Sequence, residues 1–133
     1  MFGQEQRLMF KEPKNYTDND HFFFQADHDL EKVCNAPTDK DGVFKVLELR
    51  NGKINLVFIG YSNSGGLFNE IVHGLHHDKN QRKIGWTYQL LKDKTDAVDV
   101  YWYVVNLDNP KKVQSDLLRQ HIDEYGVLPK WNK

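Results

Sequence analysis

The 133-residue chain has the length of a single domain, and its 39% hydrophobic and 13% aromatic residues are enough for one packed core. Its 18 Lys and Arg residues and 19 Asp and Glu residues give a formal net charge of -1, which argues against non-specific nucleic-acid binding because that binding needs a basic surface. The single cysteine, Cys34, excludes an internal disulfide and favours a reducing compartment.

The first ten residues are too polar for a secretory signal or a membrane span, since Glu5 and Arg7 interrupt the apolar positions. We therefore expect a cytoplasmic protein with no membrane partner. Charge is unevenly distributed, because residues 1–42 hold nine acids and five bases while the remainder holds ten acids and thirteen bases. Any surface for a polyanion is expected in the later part of the chain.

The N-terminal segment 1–35 is predicted to be an arm with a short helix, packed on a domain of residues 36–133 in one compact unit. The run Phe22-Phe23-Phe24 favours a packed edge strand. The acidic residues that follow it, with Pro37 beyond, indicate a short helix that ends at about Asn35.

The strongest local pattern is that of a β-hairpin. Two apolar runs, Val43–Leu49 and Ile54–Tyr61, flank Asn51-Gly52, and both of these turn residues tolerate the positive φ that a tight hairpin requires. A loop rich in Ser and Gly follows, and apolar residues at helical spacing then predict a helix from Leu67 to about His77.

The second half of the chain is predicted to add a helix, a strand and a further helix. Residues 84–91 indicate the first helix, and the alternation from Val98 to Val104 indicates a strand that completes the sheet. Asn109 and Pro110 begin the last helix and Gly126 ends it, before an extended tail. The predicted apolar face of this helix comprises Val113, Leu117, Leu118, Ile122 and Tyr125.

The order of these motifs resembles that of the GIY-YIG nuclease superfamily over about residues 36 to 132. Gly42-Val43-Phe44 opens the hairpin and Phe58-Ile59-Gly60 lies on its second strand. A helix with His73, another helix, a strand and a helix follow, before the closing Pro129-Lys130-Trp131-Asn132. The resemblance implies an α+β fold with a small three-stranded antiparallel sheet flanked by helices, here with an N-terminal extension.

Active members of the superfamily cleave a phosphodiester bond with one divalent metal, and the resemblance assigns roles to four positions. The tripeptide tyrosines are replaced by Phe44 and Phe58, which carry no hydroxyl to accept or relay a proton. Asn69 stands where members carry an Arg, and Leu118 stands near the position of the metal-binding Glu. We therefore expect a catalytically degenerate domain that acts by binding a nucleic acid or another protein.

The candidate binding surface is the former active-site surface that the resemblance implies. It comprises Phe44, Phe58, Tyr61, Asn69, His73, Arg82, Lys83 and Trp86. Arg82 and Lys83 could contact a phosphate backbone while Trp86 and Tyr88 stack on bases. The alternative is a solvated basic face beside two core aromatics.

Two other hypotheses stay open. In the first, the chain is a divergent nuclease that uses Mg²⁺ or Mn²⁺, in which Tyr61, Glu70, His73 or Asp116 have taken over the missing roles and converge around the ion. In the second, it is a structural or oligomerising protein whose run Phe22-Phe23-Phe24 anchors a partner. No cofactor is expected outside the nuclease alternative. The pattern of His73, His76 and His77 favours adventitious metal binding or none, since a third ligand is missing.

Overall fold

The structure, a computed structural model, describes residues 12–74, 86–105 and 108–132. Four strands form one antiparallel sheet in the order β1-β4-β2-β3. These strands are β1 (Asp18–Phe24), β2 (Gly42–Arg50), β3 (Lys53–Ser62) and β4 (Ala97–Val104). The helices are α1 (Leu30–Val33), α2 (Leu67–His73), α3 (Trp86–Lys92) and α4 (Pro110–Tyr125). The predicted α+β class is confirmed.

The predicted number of three strands is wrong, because β1 from the N-terminal segment joins the sheet as a fourth strand. Phe22 and Phe24 are each 6% exposed in the core, while Phe23 between them points to the other side and is 57% exposed. This alternation is what a strand imposes on three consecutive side chains. The predicted packed edge strand is therefore confirmed, and it pairs with β4.

The predicted hairpin is confirmed, with Asn51 at φ 52° and Gly52 at φ 73°. Two positive φ values are typical of the tight turn whose twist matches that of paired strands. The register of the hairpin shifts between Val46 and Leu47, so that Val57 is an extra residue in β3. Because of this bulge, both Val57 and Phe58 pack against the same core.

The sheet has two covered faces, each with its own hydrophobic cluster. The first, called the α2 face, joins Phe44 and Trp102 of the sheet to Leu67 of α2, and residues of α1 and α3 also pack there. The second, called the α4 face, joins Val43, Ile59 and Tyr103 of the sheet to Leu117 of α4. Successive side chains of β2 therefore serve opposite cores.

The ends of α4 follow the predicted capping signals, whereas α2 begins after Gly66 without the side-chain cap that the Ser- and Gly-rich loop predicted. The side chain of Asn109 accepts a hydrogen bond from the Lys111 amide, and Gly126 ends α4 at φ 80°. Gly74 at φ 62° ends α2 directly after His73, whereas the sequence predicted a helix to about His77, and residues 75–77 lie outside the described part. No helix in the described ranges is long and apolar enough to cross a membrane.

The predicted apolar face of α4 is only partly covered. Leu117 is 5% exposed, whereas Ile122 is 42% exposed and Tyr125 46% exposed. The last turns of α4 therefore leave apolar surface outside the core, which the periodic pattern alone did not predict.

Both outer strands of the sheet are covered by polar groups of the chain itself. Along β3, the Trp131 amide donates to Val57 O at 2.9 Å, while the Asn132 side chain accepts from Ile59 N at 2.9 Å and donates to Ile59 O at 3.0 Å. Along β1, the amides of Asn19 and His21 donate to the carboxylates of the aspartates before them, at 2.9 and 2.8 Å. These bonds occupy backbone groups that an edge strand otherwise offers to another chain.

Candidate functional site

The two glycine-containing tripeptides meet as an apolar contact on the α2 face. Phe44 lies opposite Gly60 in the hairpin, and its ring centre is 5.8 Å from that of Phe58. A Cβ atom added at Gly60 would lie 2.4 Å from Phe44 Cζ and 2.8 Å from Phe58 Cε2. The two rings therefore close over the glycine, and Phe44 is only 2% exposed.

Gly42 of the first tripeptide is required by close packing as well. A Cβ atom at Gly42 would lie 1.8 Å from the carbonyl oxygen of Tyr103 on the neighbouring strand. Gly42 thus allows β2 to lie close to β4, and Gly60 allows the Phe44 ring to cover β3. Both tripeptides have a packing role that needs no hydroxyl group.

The start of α2 is fixed by the loop that precedes β2. The amides of Leu67 and Phe68 donate to the carbonyls of Lys40 and Pro37, each at 2.9 Å. The Gly66 amide donates to the Asp41 carboxylate at 3.0 Å. These contacts hold α2 against the hairpin and give Pro37 a structural role ahead of the first tripeptide.

The polar candidates on α2 do not form a charged site. Asn69 donates from Nδ2 to Gly65 O at 2.6 Å, so its amide is used within its own helical turn. His73 is exposed, and its ring makes an edge contact with Phe68 at 6.3 Å between centres. Glu70 is buried at 6% exposure. Asn69 supplies no positive charge for a phosphate.

The structure separates the side chains that the nuclease alternative needs in one place. Tyr61 packs with the cluster of the α4 face. Asp116 is paired with Lys112 at 3.2 Å on the exposed side of α4, across the sheet from α2 and its His73. Among the described residues, no group of three His, Cys, Asp or Glu side chains could hold a metal ion. The expected convergence on one ion is therefore not seen in this part of the chain.

The predicted basic and aromatic surface is only partly described. Trp86 is 5% exposed and packs edge-on against Phe24, with ring centres 6.0 Å apart, so it belongs to the core rather than to a base-stacking surface. Tyr88 is 42% exposed on the same helix. Arg82 and Lys83 lie outside the described residues, as do His76 and His77.

A buried lysine at the centre of the sheet was not singled out from the sequence. Lys45 is 1% exposed on β2, and its Nζ lies 5.4 Å from the centre of the Tyr103 ring. Burial lowers the pKa of Lys45 from 10.5 to about 7, against an opposing effect of the Glu12 carboxylate. Its position between the apolar residues Phe44 and Val46 of a predicted strand was the available signal.

A second polar group missed from the sequence joins β1 to β4. His21 Nδ1 lies 2.8 Å from Asp99 Oδ1, and the imidazole stacks on the Tyr101 ring at 4.6 Å and 9°. Burial raises the pKa of Asp99, although its hydrogen bond and charge interaction with His21 act in the opposite direction. Because His21 and Asp99 are 78 positions apart, only the strand pairing brings them together.

A third polar group anchors the closing residues of the chain. Glu48, 1% exposed, accepts hydrogen bonds from Thr95 Oγ1 at 2.5 Å and from Lys130 Nζ at 3.0 Å. The Trp131 indole donates to Asp93 at 2.8 Å and is 2% exposed. These contacts give the Pro-Lys-Trp-Asn segment a structural role on the sheet.

Comparison with known proteins identified no matching protein family, no similar curated protein and no similar solved structure. The GIY-YIG resemblance of the motif order therefore stays a prediction, and the chemistry of the described residues carries the functional argument.

Proposed function

We propose that the chain is a GIY-YIG-like domain that does not cleave phosphodiester bonds and acts by binding a macromolecule, with a protein as the favoured partner. The observation that carries this proposal is the contact of Phe44 and Phe58 over Gly60, which fills the former catalytic position with two hydrocarbon rings. The order of hairpin, two helices, strand and helix in the structure is consistent with the resemblance.

The chemistry of phosphoryl transfer supports the loss of cleavage. Charge stabilisation and metal-activated water supply much of the rate in this reaction. Here the Asn69 amide is held within its own helical turn, and the position near the expected metal ligand carries Leu118, which packs on the α4-face cluster. Asp116, two residues earlier, is paired with Lys112. Neither a positive charge for the phosphate nor a free metal-binding carboxylate stands at the expected positions.

The exposed side chains favour a protein partner over a nucleic acid. Trp86 is withdrawn into the core and cannot stack on a base in the folded chain. The end of α4 and the residues after it expose four large apolar side chains, and apolar surface of this kind is typical of protein contacts. They are Ile122, Tyr125, Val127 and Leu128.

Specific observations support two alternative functions. Nucleic-acid binding remains the second candidate because Tyr88 and Lys92 are both exposed on α3. The oligomerisation hypothesis keeps only Phe23 of its three-phenylalanine anchor, since Phe22 and Phe24 are core residues of the sheet.

The test uses labelled single- and double-stranded DNA and RNA with Mg²⁺ or Mn²⁺, and measures cleavage together with binding at low and moderate salt. We expect no cleavage and no tight binding, with His73→Ala and Asp116→Ala variants indistinguishable from the parent chain. Metal-dependent cutting that either variant abolishes would overturn the proposal. Salt-sensitive binding without cutting, weakened by Lys92→Ala, would instead assign the binding role to nucleic acid.

A further inference from the structure

A groove lies between β3 and the turn that follows α4. Its volume is about 330 Å³, which falls in the range of about 300–1,000 Å³ that ligand-binding pockets occupy. The lining residues include Leu56 and Val57 of β3 together with Tyr125 and Leu128. This space, called the C-terminal groove, is separate from the contact of Phe44 and Phe58.

The C-terminal groove is bordered by apolar side chains that the fold leaves in solvent. Tyr125 is 46% exposed, Val127 is 62% exposed and Leu128 is 40% exposed, and all three line the groove. Each exposed apolar side chain is ordinary by itself, but several that line one cavity form a surface suited to another apolar group. The groove is thus fitted to an apolar side chain of a partner.

The charges of the C-terminal groove favour an acidic partner. Glu48 and Lys130 both line the groove and are joined at 3.0 Å. The Glu48 side chain is 2% exposed, whereas the Lys130 side chain is 46% exposed. The Lys130 Nζ also lies 3.7 Å from Asp93 Oδ2, but the Asp93 side chain is 28% exposed and does not line the groove. An incoming group in the groove therefore meets the ammonium, while the Glu48 carboxylate is buried and already accepts from Thr95. A half-exposed ammonium beside apolar walls favours a carboxylate next to an apolar body.

The closing segment also leaves this part of β3 uncovered. Its hydrogen bonds to β3 are made at Val57 and Ile59. Asn55 and Leu56, which precede them, line the groove instead. An extended segment of a partner therefore has room to lie beside Asn55 and Leu56, which the hydrogen bonds of Trp131 and Asn132 do not reach.

We propose that the C-terminal groove binds a short segment of a partner protein in which a large aromatic side chain is followed by a carboxylate. The aromatic ring packs between Leu56 and Leu128, and the carboxylate contacts Lys130. This inference rests on the proposed binding function but not on the resemblance to nucleases, because none of the groove residues belongs to the former catalytic position.

The experiment titrates the full chain, labelled with ¹⁵N, with the blocked peptide Gly-Trp-Asp-Gly and with matched peptides in which Asn or Lys replaces Asp. We expect amide shifts confined to Asn55–Val57 and to Tyr125–Lys130. The Asp peptide should bind about tenfold more tightly than the Lys peptide, since reversing the charge beside Lys130 changes a charge-assisted contact into repulsion.

Two charge substitutions at exposed leucines provide the decisive comparison. Leu128→Glu should reduce binding of the Asp peptide by at least about tenfold, because it places a carboxylate in the apolar wall of the groove. Leu91→Glu is the matched control, since Leu91 is 64% exposed on α3 and does not line the groove. Both variants should keep the dispersed amide spectrum of the parent chain.

Scattered shifts, equal affinity for the three peptides, or equal losses in the two leucine variants would each overturn the groove proposal. Such a result would leave the proposed non-catalytic function standing, because that function is tested by cleavage. Conversely, metal-dependent cleavage together with selective peptide binding would contradict the proposed non-catalytic function and support the proposal that the groove binds a peptide.

Discussion

Replacing Lys45 by Met should stabilise the fold. Lys45 is 1% exposed in β2, and burial lowers its pKa from 10.5 to about 7. The folded state therefore disfavours the charged amine that the unfolded chain carries at neutral pH. Met has a similar length and fills the same apolar space without a charge.

The size of the effect follows from the pKa difference between the folded and unfolded states. At about 1.4 kcal/mol per pKa unit, the drop from 10.5 to about 7 corresponds to about 4–5 kcal/mol of destabilisation below pH 7. Contacts that favour the ammonium, such as that with the Tyr103 ring at 5.4 Å, are already contained in a folded pKa of about 7. Because the Met variant loses these and other contacts of Lys45, we expect a gain of at most about 4 kcal/mol in the free energy of unfolding near pH 6.

The stability difference between Lys45→Met and the parent should decrease as pH rises. Between the folded and unfolded pKa values, the unfolded chain binds more protons, so parent stability rises with pH and the advantage of Lys45→Met shrinks. The advantage should fall by about 1.4 kcal/mol for each pH unit from about pH 7 to 10. Urea unfolding of both proteins at pH 6, 8 and 9 measures this slope, with Lys53→Met at an exposed β3 position as the control. A pH-independent difference, or a less stable variant at pH 6, would refute the reasoning.

Three further substitutions test other parts of the structure. Gly60→Ala should lower the free energy of unfolding by about 1–3 kcal/mol, because the new methyl group would lie 2.4 Å from Phe44 Cζ; urea unfolding that shows no loss would contradict the tight ring contact. Asn132→Ala should cost about 1–2 kcal/mol by removing both side-chain bonds to Ile59, and faster hydrogen exchange at the Ile59 amide should accompany it. The raised pKa of Asp99 means that its contribution to stability declines as pH rises from its ordinary value of 3.8 through the raised pKa; Asp99→Asn should therefore gain in stability relative to the parent over that rise, and parallel urea midpoints would speak against this.

The elements that local chemistry specifies were predictable from the sequence. The turn at Asn51-Gly52 follows from the positive φ values that these residues accept, and the ends of α4 follow from its Asn cap and Gly126. The position of β1 within the sheet was harder to predict, because its pairing with β4 joins residues about 80 positions apart and leaves no local pattern.

The candidate site was less predictable because it depends on which face of the sheet each side chain reaches. Tyr61 follows Phe58-Ile59-Gly60 directly, yet it packs on the α4 face while Phe58 packs on the α2 face. Strand alternation and the extra residue at Val57 set these directions, and the bulge has no clear sequence signal. Lys45 could have been noticed as a charge within an apolar run, but its burial depends on the strands beside it.

The covered edges of the sheet limit how this protein can assemble with others. A partner cannot extend the sheet at Ile59 without displacing Asn132, which occupies both backbone groups of that residue. The same side chain guards against polymerisation, because an uncovered edge strand is a template for copies of itself. Proteolysis that removes the segment after Leu128 would leave all four strands in the chain but expose the Ile59 amide and the Val57 carbonyl, while Gln114 still donates to Ile59 O at 3.0 Å. The Trp131-Asn132 segment therefore limits intermolecular strand pairing at β3.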